Sequence, residues 1–166
     1  MTTAACFRSC GEDAFHVRGR RGTCTRVTET HESGSVARTQ AVAAALAKTL
    51  APGAAVALHG NLGAGKTQFV RGLVEALGGN PRAVSSPTYV LLNIYEGGRL
   101  TVYHLDAYRV GGAEDFEGIG FGELLEQGGV VVVEWADRVG ELMPADAIHV
   151  RIEHAGETRR RITIEG

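Results

Sequence analysis

Residues 60–67 read GNLGAGKT, a full match to the pattern G-x-x-x-x-G-K-[ST]. No other stretch restricts the fold as much. The glycines permit backbone turns that bulkier residues resist, so successive N–H groups can point inward as an anion nest. Such a nest needs a buried strand to fix its entry and a helix whose free N–H groups and dipole add positive potential. The flanks comply. Ala54–His59 (AAVALH) is a short apolar run that reads as a buried strand, and Lys66–Leu77 reads as a helix closed by Gly78-Gly79. On this reading Gly60, Asn61, Leu62, Gly63, Ala64, Gly65, Lys66, Thr67 and Gln68 line a phosphate site. Lys66 bridges the β- and γ-phosphates, and the Thr67 hydroxyl ligates Mg²⁺. The alternative, a mere glycine-rich turn, does not explain the strand and helix on either side. The chain is expected to bind a nucleoside phosphate.

Around this unit the pattern alternates. Ser33 or Ser35 can cap a helix running to about Leu50, where Pro52-Gly53 ends it. Two β-rich runs, Tyr89–Tyr95 and Leu100–Leu105, are joined by Glu96-Gly97-Gly98-Arg99, a hairpin signal. Short helical pieces are expected over Ala113–Phe116 and Phe121–Gln127. Val130–Glu134 (VVVVE) reads as a strand covered on both faces. Ile148–Glu153 and Arg159–Ile164 alternate around Ala155-Gly156-Glu157 as a terminal hairpin. The expected fold class is α/β: a P-loop NTPase-like α/β sandwich, its mixed sheet flanked by helices and ended by a C-terminal β-hairpin.

Composition sets the boundary of that domain. The 166 residues are 44% hydrophobic and 22% charged, a globular balance sufficient for one domain. The net charge of −2 provides no basic field to hold nucleic acid directly. Residues 1–26 differ from the rest: they contain Cys6, Cys10 and Cys24 and five arginines against two acids. Residues 27–166 hold no cysteine and carry a net charge of −5. The first segment is expected to be a disordered tail or the product of a misassigned start, with Val27 a plausible true start and 27–166 the P-loop ATPase domain. Cys6, Cys10, Cys24 and His16 can be drawn as a zinc site, but C-x3-C is wider than the common knuckle and the second half is incomplete. No secretory signal and no run of about 18 apolar residues appears, so a cytoplasmic protein away from membranes is expected.

A Mg²⁺ site needs a second carboxylate at the end of a neighbouring strand. Glu134, closing VVVVE, fits; the alternative is an ordinary strand-end acid. Asp106 closes LTVYHLD, and period-two alternation puts Leu100, Val102, His104 and Asp106 on one face. Asp106 can orient the attacking water or hold Mg²⁺ through water. His104 reads more readily as a satisfied core or supporting histidine than as a catalytic one. Arg109 can meet phosphate or a carboxylate, or form a surface salt bridge. A GTPase is disfavoured because there is no N-K-x-D box, and neither Lys48 nor Lys66, the only two lysines, has that context. A free-standing small-metabolite kinase stays open, although residues 110–128 are acidic where an arginine-rich lid would be needed.

In order and spacing, GNLGAGKT (60–67), SSPTY (85–89), YHLDAYR (103–109), EDFEGIGFGELL (114–125) and VVEWAD (132–137) resemble the bacterial TsaE (YjeE) family. The resemblance covers about residues 27–165. It implies a P-loop ATPase of tRNA threonylcarbamoyladenosine biosynthesis, with Mg²⁺ and ATP, that acts with TsaD and TsaB and reaches tRNA only through them. Carried over by motif, Lys66 and Thr67 hold phosphate and Mg²⁺, and Glu134 is the second metal ligand. Ser86-Pro87-Thr88 is a switch-like segment with Thr88 at the nucleotide, and Asp106 serves hydrolysis. Trp135 lies beside the nucleotide or simply packs, and the start of the first helix near Val36 contacts the nucleotide. The acidic stretch from Glu114 to Glu126 is either a docking surface or a solvated helix face.

Overall fold

The runs AVALH and VVVVE offer no polar side chain until their last residue, so both can be covered on two faces. They form the centre of a seven-stranded sheet in the computed structural model, which describes residues 27–166. The strands are β1 (Thr28–Ser33), β2 (Ala55–His59), β3 (Leu92–Tyr95), β4 (Val102–Asp106), β5 (Val130–Glu134), β6 (Ile148–His154) and β7 (Arg160–Glu165). Their order is β1-β7-β6-β2-β5-β4-β3. β2 lies parallel between β5 and β6, and β4 is parallel to β5. The β3–β4 and β6–β7 pairs are the expected antiparallel hairpins, and β1 pairs antiparallel with β7. The mixed α/β sandwich with a C-terminal hairpin is the observed fold. The cysteines and His16 of the zinc reading lie outside the described residues.

Alternation sorts each central strand between two cores. Val56, Leu58, Val102, Val130 and Val132 face α1 (Val36–Ala47) and α2 (Lys66–Ala76), meeting Phe69, Val70 and Leu73. Ala57, Leu105, Val131 and Val133 face the other way, where Phe116 of α3 (Ala113–Glu117) and Phe121 and Leu124 of α4 (Phe121–Glu126) cover them. The two long helices approach closely because a Cβ at Gly72 would meet the Gln40 backbone. Ser35 is the N-cap of α1, its hydroxyl accepting from the Arg38 N–H at 3.2 Å, whereas Ser33 ends β1 and bonds Thr39. Gly78 and Gly79 close α2 as expected, with Gly78 N–H on Glu75 O and Gly79 N–H on Val74 O.

TETHES has no apolar alternation to declare a strand, yet it forms β1, an exposed edge strand whose charges discourage further pairing. The run Tyr89–Tyr95 is a strand only from Leu92. Val90 and Leu91 N–H both turn back to the Pro87 carbonyl, at 3.0 and 2.7 Å, and Leu91 takes φ 66°. Tyr89 and Val90 therefore project from a loop, where β propensity has no partner strand to satisfy.

The parallel strands β2, β4 and β5 end at one sheet edge. His59 leads into the glycine loop there, and Asp106 is paired in register with Glu134. This carboxyl-end crevice is where open α/β sheets hold ligands. Among the described residues no helix is long and apolar enough to cross a membrane.

Candidate nucleotide site

The glycine loop is built into the sheet at one end and free at its crest. Gly60 has φ 141°, and a methyl placed on it would overlap the Ile152 carbonyl of β6, so only glycine lets the chain leave β2 here. Asn61, Leu62 and Gly63 form the exposed crest, Ala64 is buried, and Gly65 enters α2 with φ 111°. Arg160 of β7 supports the loop from behind, its Nε donating to Ala64 O at 3.1 Å.

Lys66 is only 5% exposed, and its Nζ donates to Gly60 O at 2.7 Å and Asn61 O at 3.1 Å. It also lies 3.9 Å from the centre of the Trp135 ring. Burial holds the Lys66 pKa below its ordinary value, and the opposing pull of Glu134, Asp106 and Asp137 does not cancel it. A buried, multiply held ammonium beside carboxylates suits a group that is to receive further negative charge.

Thr67 donates its hydroxyl to Glu134 Oε1 at 2.8 Å. The two residues expected to hold one ion are thus brought together by the fold, Thr67 from α2 and Glu134 from β5. Both are hard oxygen donors, the set that suits Mg²⁺. Glu134 is 3% exposed and also meets His104 Nε2 at 3.0 Å. Asp106, 1% exposed, has both oxygens engaged: Oδ1 accepts from Tyr108 N–H at 2.7 Å and Oδ2 from the Thr88 hydroxyl at 2.6 Å. Ser86 bonds Thr88 at 2.7 Å and reaches Asp106 Oδ2 at 3.5 Å. The Ser86–Thr88 segment thus closes over the aspartate.

These residues line one cleft of about 350 Å³, which includes Leu62, Lys66, Thr67, Gln68, Thr88, Asp106, Glu134 and Trp135. Trp135 takes φ 58°, rare for a non-glycine residue, and its ring is 4.9 Å from that of Tyr108. Val36 borders a smaller cavity of about 130 Å³ with Ser35, Gly63, Gln68 and Arg160, so the start of α1 does lie beside the loop. Arg109 stacks on Tyr89, 4.2 Å from the ring centre. In the acidic stretch, Glu114, Asp115, Glu117, Glu123 and Glu126 are exposed while Phe116, Phe121 and Leu124 are buried. Among the described residues no three His, Cys, Asp or Glu side chains gather into a self-contained metal centre.

Sequence reasoning missed Tyr95, Arg160 and the His59–Asp137 bond of 2.8 Å, which places Asp137 near Lys66. Each depends on strand order, which no local pattern carries.

The chain is similar to known proteins of one family. The family model described as threonylcarbamoyl adenosine biosynthesis protein TsaE matches residues 33–162. A protein of Bacillus subtilis (strain 168) named tRNA threonylcarbamoyladenosine biosynthesis protein TsaE is 39% identical over 125 residues, 75% of this chain and 77% of its own. Like-named proteins of Treponema pallidum and Streptomyces coelicolor are 41% and 40% identical, each aligned over 85% of its length and over 70% and 73% of this chain. The crystal structure of Bacillus subtilis YdiB superposes with a TM-score of 0.71 at 30% identity, covering 87% of this chain and 88% of that one.

Proposed function

The chain belongs to the TsaE family, and from that premise we propose that it is a Mg²⁺-dependent ATPase serving tRNA threonylcarbamoyladenosine biosynthesis together with TsaD and TsaB. The observation that carries the ATPase reading is the Thr67–Glu134 pair, set beside a glycine loop and a buried Lys66. The loop N–H groups from Asn61 to Gln68 hold the phosphates, with Lys66 on the β- and γ-oxygens. Thr67 and Glu134 hold Mg²⁺, which when bound offsets phosphate charge during transfer to water. Val36 and its small cavity border the rest of the nucleotide.

Asp106 is the residue for the attacking water, and Thr88 is the group that must leave it first, since its hydroxyl sits on Oδ2. Among the described residues no arginine lines the cleft, which supports slow hydrolysis by the isolated protein. An arginine finger supplies about 10³–10⁵ in rate where one is present. Exposed apolar residues adjoin the cleft lining: Leu62, 81% exposed, belongs to it, Tyr89, 80% exposed, and Val90 follow Thr88 in sequence, and Tyr108 packs on Trp135. An apolar rim of this kind suits a protein partner, and tRNA is met only through that partner.

The test is steady-state phosphate release by the protein alone and with the TsaB–TsaD pair of the same organism. Slow release that rises on adding the pair is expected. Fast release that ignores the pair, or that needs a small metabolite, favours a free-standing kinase instead.

A further inference from the structure

His104 has no exposed surface. A buried imidazole is costly unless both ring nitrogens are satisfied, and here both are. Nε2 lies 3.0 Å from Glu134 Oε1, the same oxygen that accepts from Thr67. Nδ1 lies 3.3 Å from the Tyr95 hydroxyl. That hydroxyl donates to Ser85 O at 3.1 Å and accepts from Ser85 N–H at 3.4 Å. Thr67 on α2 is therefore joined through β5, β4 and β3 to Ser85, where the Ser86–Thr88 segment leaves its anchor. The segment meets the cleft twice: through the core at Ser85, and at its tip through Thr88 on Asp106.

The Tyr95 hydroxyl has one hydrogen and two acceptors within reach. While Glu134 accepts from Nε2–H, Nδ1 is an acceptor and competes with Ser85 O for the tyrosine hydrogen. If Nε2 loses its acceptor, the ring can take the other tautomer. Nδ1–H then donates to Tyr95, and the tyrosine hydrogen is committed to Ser85. Two discrete arrangements of this kind are what coupling between sites requires.

We infer that His104 and Tyr95 are positioning residues that couple the Thr67–Glu134 pair to the conformation of the Ser86–Thr88 segment. The inference rests on the proposed roles of Thr67 and Glu134, but its central test needs no nucleotide. Hydrogen–deuterium exchange of a peptide spanning residues 84–92 is measured in the full chain for wild type, Glu134→Met, Tyr95→Phe and the double variant. Glu134→Met removes the acceptor at similar length and should slow exchange there by about threefold or more, the scale of coupling between residues in one network. Tyr95→Phe should speed it, and in that background Glu134→Met should add nothing. His104→Gln keeps a donor for Glu134 but cuts the link to Tyr95, so it repeats the test if Tyr95→Phe folds poorly. No effect of Glu134→Met, or the same factor in both backgrounds, overturns the coupling. A parallel arm titrates Mg²⁺ and ADP while following Trp135 emission. Absence of binding there counts against the ATPase reading, and the nucleotide-free cycle still decides the coupling.

Discussion

Replacing Gly60 and Gly63 by alanine, one at a time, separates the part of the glycine loop that builds the fold from the part that serves a ligand. At Gly63 φ is 73° and no atom lies within 4 Å of an added Cβ. The cost is left-handed strain of about 1–2 kcal/mol, offset by about 0.4–1 kcal/mol from a stiffer unfolded chain. At Gly60 φ is 141°, and the Cβ would overlap the Ile152 carbonyl and lie 3.3 Å from the Ala64 Cβ. Ile152 is fixed in β6 between β2 and β7, so neither neighbour is a flexible side-chain tip. Strain of about 1–3 kcal/mol then adds to overpacking of about 1–3 kcal/mol. Urea unfolding should show Gly63→Ala losing about 1 kcal/mol and Gly60→Ala about 3–5 kcal/mol, a large share of the roughly 5–15 kcal/mol that holds a domain together. Phosphate binding should suffer in both. Equal losses of stability would refute the claim that Gly60 is held against β6.

The buried Lys66 predicts a pH effect of definite sign. Its folded pKa lies below the unfolded value, so between the two the unfolded chain binds more protons and stability rises with pH. Urea unfolding at pH values rising toward the ordinary lysine pKa of about 10.4 should show wild type gaining on Lys66→Met, and parallel curves would contradict it. Glu134→Gln should weaken the Mg²⁺ dependence of nucleotide binding, because a neutral amide is a poor ligand for a hard cation. Asp106→Asn should spare binding, followed by Trp135 emission, and slow phosphate release by about 10²–10⁴; equal loss of affinity in both variants would make Asp106 a binding residue. Arg160→Met should cost about 1 kcal/mol of thermal stability through the lost bond to Ala64 O, and an unchanged melting temperature would dismiss that support.

What could be read from the sequence was what local chemistry dictates. The glycine loop, its strand and its helix follow from steric and dipolar needs that eight residues state in full. Glu134 and Asp106 were found because an acid that closes an apolar strand emerges where the sheet ends. The unforeseen parts are those that depend on which strand lies next to which. β1 has no apolar face to declare it, and Tyr89–Leu91 has strand-forming residues with no strand to pair with. Tyr95 became part of the site only because β3 pairs with β4, bringing its hydroxyl to His104.

The two carboxylates make the same point more sharply. Asp106 and Glu134 are register partners at the ends of adjacent parallel strands, and both are almost fully buried. Strand position alone gives them equal standing. Their surroundings do not. Glu134 faces the N-terminus of α2 and receives the Thr67 hydroxyl, the arrangement that an ion can replace by taking both oxygens as ligands. Asp106 faces the loop that follows β4 and the segment before β3, which fill both of its oxygens with Tyr108 N–H and Thr88. The surroundings of the two acids thus diverge through loops rather than strands, and with them the metal and water roles proposed above. On the proposed function this makes the Ser86–Thr88 segment the gate to chemistry: the phosphate and metal groups are already assembled, while the group for water is capped until Thr88 moves. A cap of one short hydrogen bond to a carboxylate holds with about 1.5–3 kcal/mol, enough to keep the isolated protein slow and small enough for a docking partner to overcome.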